Sequence, residues 1–504
     1  MPEINRNAFA LQEAMRRAAK AGNVLASECF DEDAVKMLTN LRDAFVFRAT
    51  FPEWTEADER PAELWQAMMR HRELPAPFPD TILATTRKEQ AMSVSRRDFI
   101  KKSTATVAVG LAIPPWLAKM VWAEGTGDSF RQSAQGAKRT LVVIQLTGGN
   151  DGLNTVIPYA DKAYHVNRPT LAIPDSQVLH LSDTIGLNPA MTAMKGLYDQ
   201  GQLAVVQGVG YPNPNRSHFR SMEIWQTGQP DRPGTEGWVG RYLDAIRSGR
   251  TSPLTGINIG NEQSLATQSA HAAVPSIQGL ANFGVVFPHS AEGDIRADTL
   301  KRVQLADTNT PYGALFSQVA RETYDSADRI RAGLPKYHST VQYPNGGFGR
   351  DMQEVAQLIA ADLGTRVFYL SFAGGSFDTH SQQGRRHPLL LSQLSDGLAA
   401  FQADLEQMGQ ADHVLTVCFS EFGRRVHENA GGGTDHGTAS EMFVVGKQVK
   451  GGLYGAYPSL TDLDSGDLKF TTDFRAVYGT VIDRWLGASS EVVLGKQYED
   501  LKFV

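Results

Sequence analysis

The fold is decided by residues 140–154, which read TLVVIQLTGGNDGLN. The first seven are apolar almost throughout, which is typical of a strand covered by helices on both faces. The glycines that follow let the backbone pass close to a ligand, and Asp151 carries carboxylate oxygens that bind divalent cations. The segment therefore predicts a buried strand ending at a ligand-binding loop, although Asn-Asp-Gly is also a strong signal for a plain turn.

Apolar runs and helical patterns continue to alternate after this segment. Further strands are predicted at residues 203–208, 366–372, 413–419 and 442–445. Helices are predicted at residues 189–200, 313–332, 351–363, 388–408 and 472–486. This alternation predicts an α/β domain over residues 139–504. Residues 234–306 are less regular and rich in Gly, Ser, Asn and Ala, and we expect a covering insertion or a subdomain beside the main sheet.

Polar, glycine-rich segments follow four of the predicted strands. They lie at residues 148–154, 213–221, 374–380 with 385–387, and 420–437. Ligands bind outside the carboxyl ends of strands in an open α/β sheet, so these segments predict a site at one edge. Asp378 and His380 are two residues apart and project to the same side of an extended chain, which suits a shared cation. A salt-bridged Asp378–His380 pair is the alternative.

Two more pairs in these segments carry the same ambiguity. Asp435 and His436 follow three glycines and have no evident role in a core, so they are either metal ligands or part of a surface loop. Glu421 and Arg424 are either site residues or a buried ion pair. The prediction of a site rests on all four segments lying at strand ends together.

Charge and cysteine content exclude several classes of protein. The chain has 504 residues, 49 basic and 55 acidic, with a net charge of −6, so it has no bulk attraction for nucleic acid or anionic membranes. Its two cysteines, Cys29 and Cys418, are far apart, which argues against a disulfide framework and a thiolate zinc site. We expect Cys418 to be a buried thiol.

Residues 95–101, SRRDFIK, match a twin-arginine export signal. The apolar stretch at 103–122 and the small-residue sequence ending at Ala123 complete a signal peptide over residues 92–123, followed by a linker at 124–138. We therefore expect the Tat translocase as a transient partner and a periplasmic or secreted location. Pro114 and Pro115 interrupt the apolar stretch, so no stable membrane span is expected after processing, a retained anchor being the alternative.

Residues 1–91 precede this signal and contain polar helical patterns with little apolar content. One hypothesis is that Met92 is the true start, which makes the upstream stretch a wrongly assigned start or a fusion remnant. The other is a genuine N-terminal helical extension. Peptides from residues 1–91 in native cells would reject the start at Met92.

Six motifs, taken as a set, carry a family resemblance. They are LTGGNDGLN at 146–154, NRSHF at 215–219, WQTG at 225–228, GSFDTH at 375–380, SEFGR at 420–424 and TDHG at 434–437. With the export signal, they resemble the bacterial exported proteins of the domain-of-unknown-function 1501 family, in the alkaline-phosphatase-like and sulfatase-like clan. The resemblance covers residue 139 to the C terminus. It implies a three-layer α/β/α sandwich, alkaline-phosphatase-like, around one or two metal ions, although the family has no settled activity.

The resemblance also implies site residues. The metal ligands it implies, with neighbouring acidic residues, are Asp151, Asp378, His380, Glu421, Asp435 and His436. Glu421 stands where the clan has an Asp-His pair, which implies a weaker second metal or none. The clan's nucleophile lies nine residues before a Thr-Gly pair; this count from Thr227 reaches His218, and Ser217, one step earlier, is the chemically sensible nucleophile.

The implied function is metal-assisted hydrolysis of a phosphate or sulfate ester, by Ser217 or a bound water. The substrate would be an anionic small molecule or polymer, bound by Arg216, Arg220 or Arg424 through the guanidinium fork. The cation would be zinc, calcium, magnesium or manganese. The alternative is a non-catalytic envelope or secreted binding protein that kept the fold.

Overall fold

The apolar run at Thr140–Leu146 forms a strand, β1, whose side chains alternate between two buried faces. Leu141 and Val143 belong to one hydrophobic core, whereas Val142 and Ile144 belong to another. Successive side chains of a strand point to opposite sides, so the sheet separates two cores. It is therefore the middle layer of three, as the sequence predicted.

The computed structural model describes residues 139–247, 252–280, 291–305, 311–373 and 375–504. The predicted helical extension at 1–91, the export signal at 92–123 and the linker at 124–138 lie outside the described residues. Among the described residues, no helix has both the length and the hydropathy needed to cross a membrane.

Nine strands from the described part of the chain form the main sheet. In chain order they are β1 (Thr140–Leu146), β2 (Leu203–Gly210), β3 (Gly256–Ile259), β4 (Ser276–Ile277), β5 (Val367–Ser371), β6 (Val414–Ser420), β7 (Ser440–Val445), β8 (Gly452–Tyr454) and β9 (Thr472–Asp473). Their order is β8-β2-β7-β6-β1-β5-β3-β4, with β9 also paired to β2. β1 pairs in parallel with β5 and β6, and β7 runs antiparallel to both of its neighbours, β2 and β6.

Helices cover both faces of this sheet. They are α1 (Gly152–Thr155), α2 (Lys162–Asn167), α3 (Thr192–Asp199), α4 (His218–Thr227), α5 (Trp238–Ala245), α6 (Ala291–Gln304), α7 (Pro311–Gly333), α8 (Gly347–Ala360), α9 (Gln383–Gln407), α10 (Phe474–Thr480) and α11 (Ser490–Leu494). Apolar residues of α3, α8 and α9 join one core. Those of α4, α5, α10 and α11 join the other.

All five predicted strands form, and Cys418 is buried as expected. Residues 234–306, expected to cover the main sheet or to lie beside it, also contribute two of its strands. β3 pairs in parallel with β5, and β4 pairs in parallel with β3, so this segment extends the main sheet. The two strands have only four and two residues, which is too short for an apolar pattern to identify.

Candidate metal centre

The topology of the sheet brings three loops that carry potential ligands to one edge. The carboxyl ends of β2, β5 and β6 meet there because these strands run in the same direction. The loop after β2 leads to His218 at the start of α4, and the loop after β5 carries Asp378 and His380. Between β6 and the antiparallel β7 lies a small two-stranded sheet that carries His436. The ligand edge predicted from the sequence is therefore the edge where these side chains meet.

Three ligand atoms converge at this edge, one each from His218, Asp378 and His436. They all lie within 4.8 Å of one another. His218 Nε2 is 3.5 Å from Asp378 Oδ2, and His436 Nε2 is 3.3 Å from Asp378 Oδ1. His380 adds a fourth donor, with its Nε2 2.9 Å from His436 Nε2 and 3.1 Å from Asp378 Oδ1. We call these four residues the metal centre.

Hydrogen bonds on the far side of two imidazoles fix which nitrogen is free. His218 Nδ1 is 2.8 Å from Glu421 Oε1, and His436 Nδ1 is 2.9 Å from the Arg216 carbonyl oxygen. Both oxygens accept hydrogen bonds, so each Nδ1 carries a proton, and in the neutral ring the lone pair lies on Nε2. His218 Nε2 is buried and has no hydrogen-bond partner among the described residues. A histidine anchored through one nitrogen with the other left bare is the usual arrangement of a metal ligand.

The donors fit a small divalent cation. Tetrahedral zinc bound at about 2.0–2.1 Å places its ligand atoms about 3.3 Å apart. Four donor pairs of the metal centre lie between 2.9 and 3.5 Å apart, and the ligand atoms of His218, Asp378 and His436 all lie within 4.8 Å of one another, which leaves room for one such cation. Imidazole nitrogens suit zinc and other transition metals, whereas calcium and magnesium prefer oxygen ligands. Donors that are mostly imidazole nitrogens therefore suit zinc better than calcium or magnesium.

The surroundings hold two of the ligands in their metal-binding forms. Burial works to raise the pKa of Asp378, but the hydrogen bond and charge of Arg424 outweigh it and keep that pKa below its ordinary value. Burial lowers the pKa of His436, which favours the neutral ring. The hydrogen bond to Glu421 raises the pKa of His218. A cation therefore competes with a proton for Nε2 of this ring.

Arg424 is buried and serves the protein rather than a substrate. Its Nε donates to the Gly149 carbonyl at 2.6 Å, its Nη1 to the Thr434 carbonyl at 2.9 Å, and its Nη2 to Asp378 Oδ1 at 2.7 Å. Its Nη2 also donates to the Gly148 carbonyl. Because its side chain has no solvent exposure, we assign Arg424 to positioning Asp378 instead of the anion-binding role expected from the sequence.

Asp151 is not brought to the metal centre. Its carboxylate is fully buried and pairs with Arg168, which is 2.5 Å from Oδ2 and 2.9 Å from Oδ1. Burial works to raise the pKa of Asp151, but the charge and hydrogen bonds of Arg168 outweigh it and lower that pKa. Asp151 was predicted to bind a metal, and its pairing with Arg168 was not predicted, since nothing in the sequence links two residues 17 apart.

The remaining predicted residues surround the centre. Glu421 is buried behind His218, and Asp435 is exposed, with Oδ1 3.3 Å from His380 Nδ1. Ser217 precedes α4, is exposed and makes no capping hydrogen bond with its hydroxyl. The guanidinium of Arg216 is 45% exposed and lies 3.2 Å from Asp467. Glu421 and Asp435 thus contact histidines of the metal centre, while Ser217 and Arg216 stay accessible.

Comparisons with solved structures find distant similarity. The C-terminal periplasmic domain of EcEptC from Escherichia coli is 10% identical, with a TM-score of 0.33, over 73% of this chain and 90% of that one. An alkaline phosphatase superfamily protein from Vibrio parahaemolyticus is 12% identical, with a TM-score of 0.30, over 67% and 70%. A phosphonate monoester hydrolase from Silicibacter pomeroyi is 10% identical, with a TM-score of 0.29, over 72% and 78%.

Comparison at the level of families gives a firmer result. No curated protein sequence was found to match the chain. Residues 137–494 match the family described as "Protein of unknown function (DUF1501)". This range includes every residue of the metal centre and most of the chain. The protein therefore belongs to the DUF1501 family, as its motifs predicted.

Proposed function

We propose that the protein is an exported, metal-dependent hydrolase of phosphate or sulfate esters that works with one cation at the metal centre. The observation that carries the proposal is the convergence of His218, Asp378 and His436. Two imidazoles are anchored through Nδ1, and His218 Nε2 is buried facing Asp378 with no hydrogen-bond partner among the described residues, an arrangement that favours a bound cation over a purely structural cluster. The motif resemblance supplies the class of reaction.

The chain's residues have distinct roles in this proposal. His218, Asp378 and His436 hold the cation, and the more exposed His380 provides a fourth donor. When bound, a divalent cation polarises an ester oxygen and lowers the pKa of a water or hydroxyl group. Ser217, exposed and adjacent in sequence to His218, is the chain's candidate nucleophile, with water as the alternative. Ser217→Ala separates the two, because activity survives that change only if water attacks.

Arg216 is the guanidinium best placed to bind the anionic group. Its carbonyl oxygen accepts from His436 Nδ1, which ties its backbone to the metal centre, and its side chain is 45% exposed. We propose an anionic small-molecule or polymer ester as the substrate. We also propose that the Tat translocase exports the folded chain to the periplasm or the medium, since residues 95–101 carry the twin-arginine pattern.

A second candidate function is a metal-dependent binding protein without turnover. The observation that favours it is the use of Arg424 and Asp151 within the protein, which removes one residue expected to bind the anion and one expected to bind the metal. The fold and the cation would then serve recognition alone.

One experiment separates these functions. Wild type, Asp378→Asn and Asp412→Asn are purified, their bound metal is measured by mass spectrometry, and hydrolysis of aryl phosphate and aryl sulfate esters is followed at several pH values. Asp412 is a matched control, because it lies just before β6, at the opposite edge of the sheet. Its exposed carboxylate pairs with Lys447. We expect metal and activity in wild type and Asp412→Asn, and neither in Asp378→Asn. Bound metal without turnover of either ester would favour the binding protein, and wild type without metal would refute both.

A further inference from the structure

The ion pair of Asp151 and Arg168 is fully buried. Asp151 precedes the short helix α1, yet its side chain makes no capping hydrogen bond to that helix. Both carboxylate oxygens instead face the guanidinium, at 2.5 and 2.9 Å. This two-point contact is the geometry in which a guanidinium binds a carboxylate most strongly.

Every N–H group of the Arg168 guanidinium has an acceptor. Nε donates to the Val426 carbonyl at 3.1 Å. Besides Asp151, Nη1 donates to Asn154 Oδ1 at 2.7 Å, and Nη2 donates to the Arg425 carbonyl at 2.9 Å. Five N–H groups thus meet five acceptors. A buried arginine with no donor to spare is fixed in place.

Gln383 closes the remaining side of the carboxylate. Its Oε1 accepts from the hydroxyls of Thr379 at 3.1 Å and Thr434 at 2.6 Å, which turns its NH₂ group towards Asp151. The Nε2 of Gln383 donates to Asp151 Oδ2. Asp151 Oδ2 therefore already accepts two hydrogen bonds, one from Arg168 and one from Gln383.

We infer that the guanidinium of Arg168 takes the place of a second divalent cation, so that the Asp151 position binds no metal. The residues there do not fit the second ion of a two-metal site. Among the described residues, the group of potential ligands that converges on one point is His218, Asp378 and His436, and Asp151 is not in it. The inference does not depend on the proposed activity.

Elementary electrostatics explains why the pair excludes an ion. A buried carboxylate must be compensated by positive charge, and a guanidinium stays protonated at every physiological pH. The compensation at Asp151 is therefore complete without a metal. A cation beside Arg168 would be repelled by the positive charge of the guanidinium. It would also have to break hydrogen bonds of the buried Asp151 carboxylate.

The test counts metal ions per chain in variants that lack the metal centre. The double variant Asp378→Asn/His436→Gln removes two of its ligands and leaves Asp151 and Arg168 unchanged. Wild type, the double variant and Asp151→Asn are each dialysed against zinc, manganese or calcium and then against buffer, and the residual metal is measured by mass spectrometry. Circular dichroism shows which variants fold, and the double variant decides the question if Asp151→Asn does not fold.

We expect no metal in the double variant with any of the three cations, and the wild-type amount in Asp151→Asn. One ion per chain in the double variant, or two in wild type with one lost in Asp151→Asn, would overturn the inference. Wild type and double variant both without metal would support the inference while refuting the proposed function, so the two failures are distinguishable.

Discussion

Glu421→Gln tests whether a buried carboxylate prepares His218 to bind a cation. Glu421 has no solvent exposure, and its Oε1 lies 2.8 Å from His218 Nδ1 and accepts from the Gly148 N–H at the same distance. Its Oε2 is 3.0 Å from the Ser420 hydroxyl. Glutamine keeps the size and one oxygen of this side chain but removes the charge. Glutamine can also present its NH₂ group to His218 Nδ1. That contact would favour the tautomer in which Nε2, rather than Nδ1, carries the proton.

The size of the effect follows from the burial of the pair. Loss of a residue that orients a metal ligand typically weakens metal binding by about 10–100-fold, which corresponds to about 1.4–2.8 kcal/mol. Solvent hardly screens the charge of Glu421, because the carboxylate is fully buried. We therefore expect the upper part of this range, with the zinc dissociation constant rising by about 30–100-fold.

A competition titration with a chromophoric chelator measures this dissociation constant. Asp435→Asn is the matched control, because Asp435 also faces a histidine of the metal centre, at 3.3 Å from His380 Nδ1, but is exposed. We expect that change to weaken zinc binding by about threefold or less. Thermal unfolding of the ion-free variants shows that both fold. Zinc affinity within about threefold of wild type in Glu421→Gln, or an equal loss in Asp435→Asn, would refute the reasoning.

Three further predictions follow from individual residues. Arg424→Met leaves several carbonyl oxygens and Asp378 without their buried donor, so we expect the free energy of unfolding to fall by about 3 kcal/mol in chemical denaturation; an unchanged value would contradict this. Burial raises the pKa of Glu441 from 4.5 to about 7, so its contribution to stability is present below about pH 4.5 and is lost as the pH rises through about 7. This loss of stability is at most about 3 kcal/mol. Chemical denaturation of Glu441→Gln at pH 4.5 and 8 should not show this loss. Equal pH profiles in wild type and Glu441→Gln would contradict the prediction. Replacement of Arg96 and Arg97 by lysine should leave the precursor in the cytoplasm on cell fractionation, and normal export would reject the twin-arginine assignment.

Hydrophobic patterning was sufficient to predict the main strands. β1 matches its predicted bounds, because residues 140–146 are apolar almost throughout and both faces of the strand are buried. β3 and β4 were not predicted, since strands of four and two residues contain too little pattern to distinguish from a loop. Their place in the sheet comes from the pairing of β3 with β5, a contact between distant parts of the chain, and from the pairing of β4 with β3.

The site was predicted in part, for a different physical reason. Residue types at strand ends indicated a metal site, and Asp378, His380 and His436 do meet at one edge. Residue type does not reveal which partner occupies a polar atom. Asp151 has the right chemistry for a ligand, but its oxygens are already bound to Arg168. His218 lies at the sequence position expected for the nucleophile. In the structure its Nε2 faces Asp378 and has no hydrogen-bond partner among the described residues.

The direction of β7 links the fold to the ligand set. If β7 were parallel to β6, the chain would cross to the opposite edge of the sheet before β7 began, as parallel connections require. Because β7 is antiparallel, the segment between Ser420 and Ser440 both starts and ends at the ligand edge. Glu421 and His436, both in this segment, can therefore face His218. Two residues 15 positions apart in the chain thus contact the same imidazole, that of His218. This contact is a consequence of strand direction, which the apolar pattern of residues 442–445 does not encode.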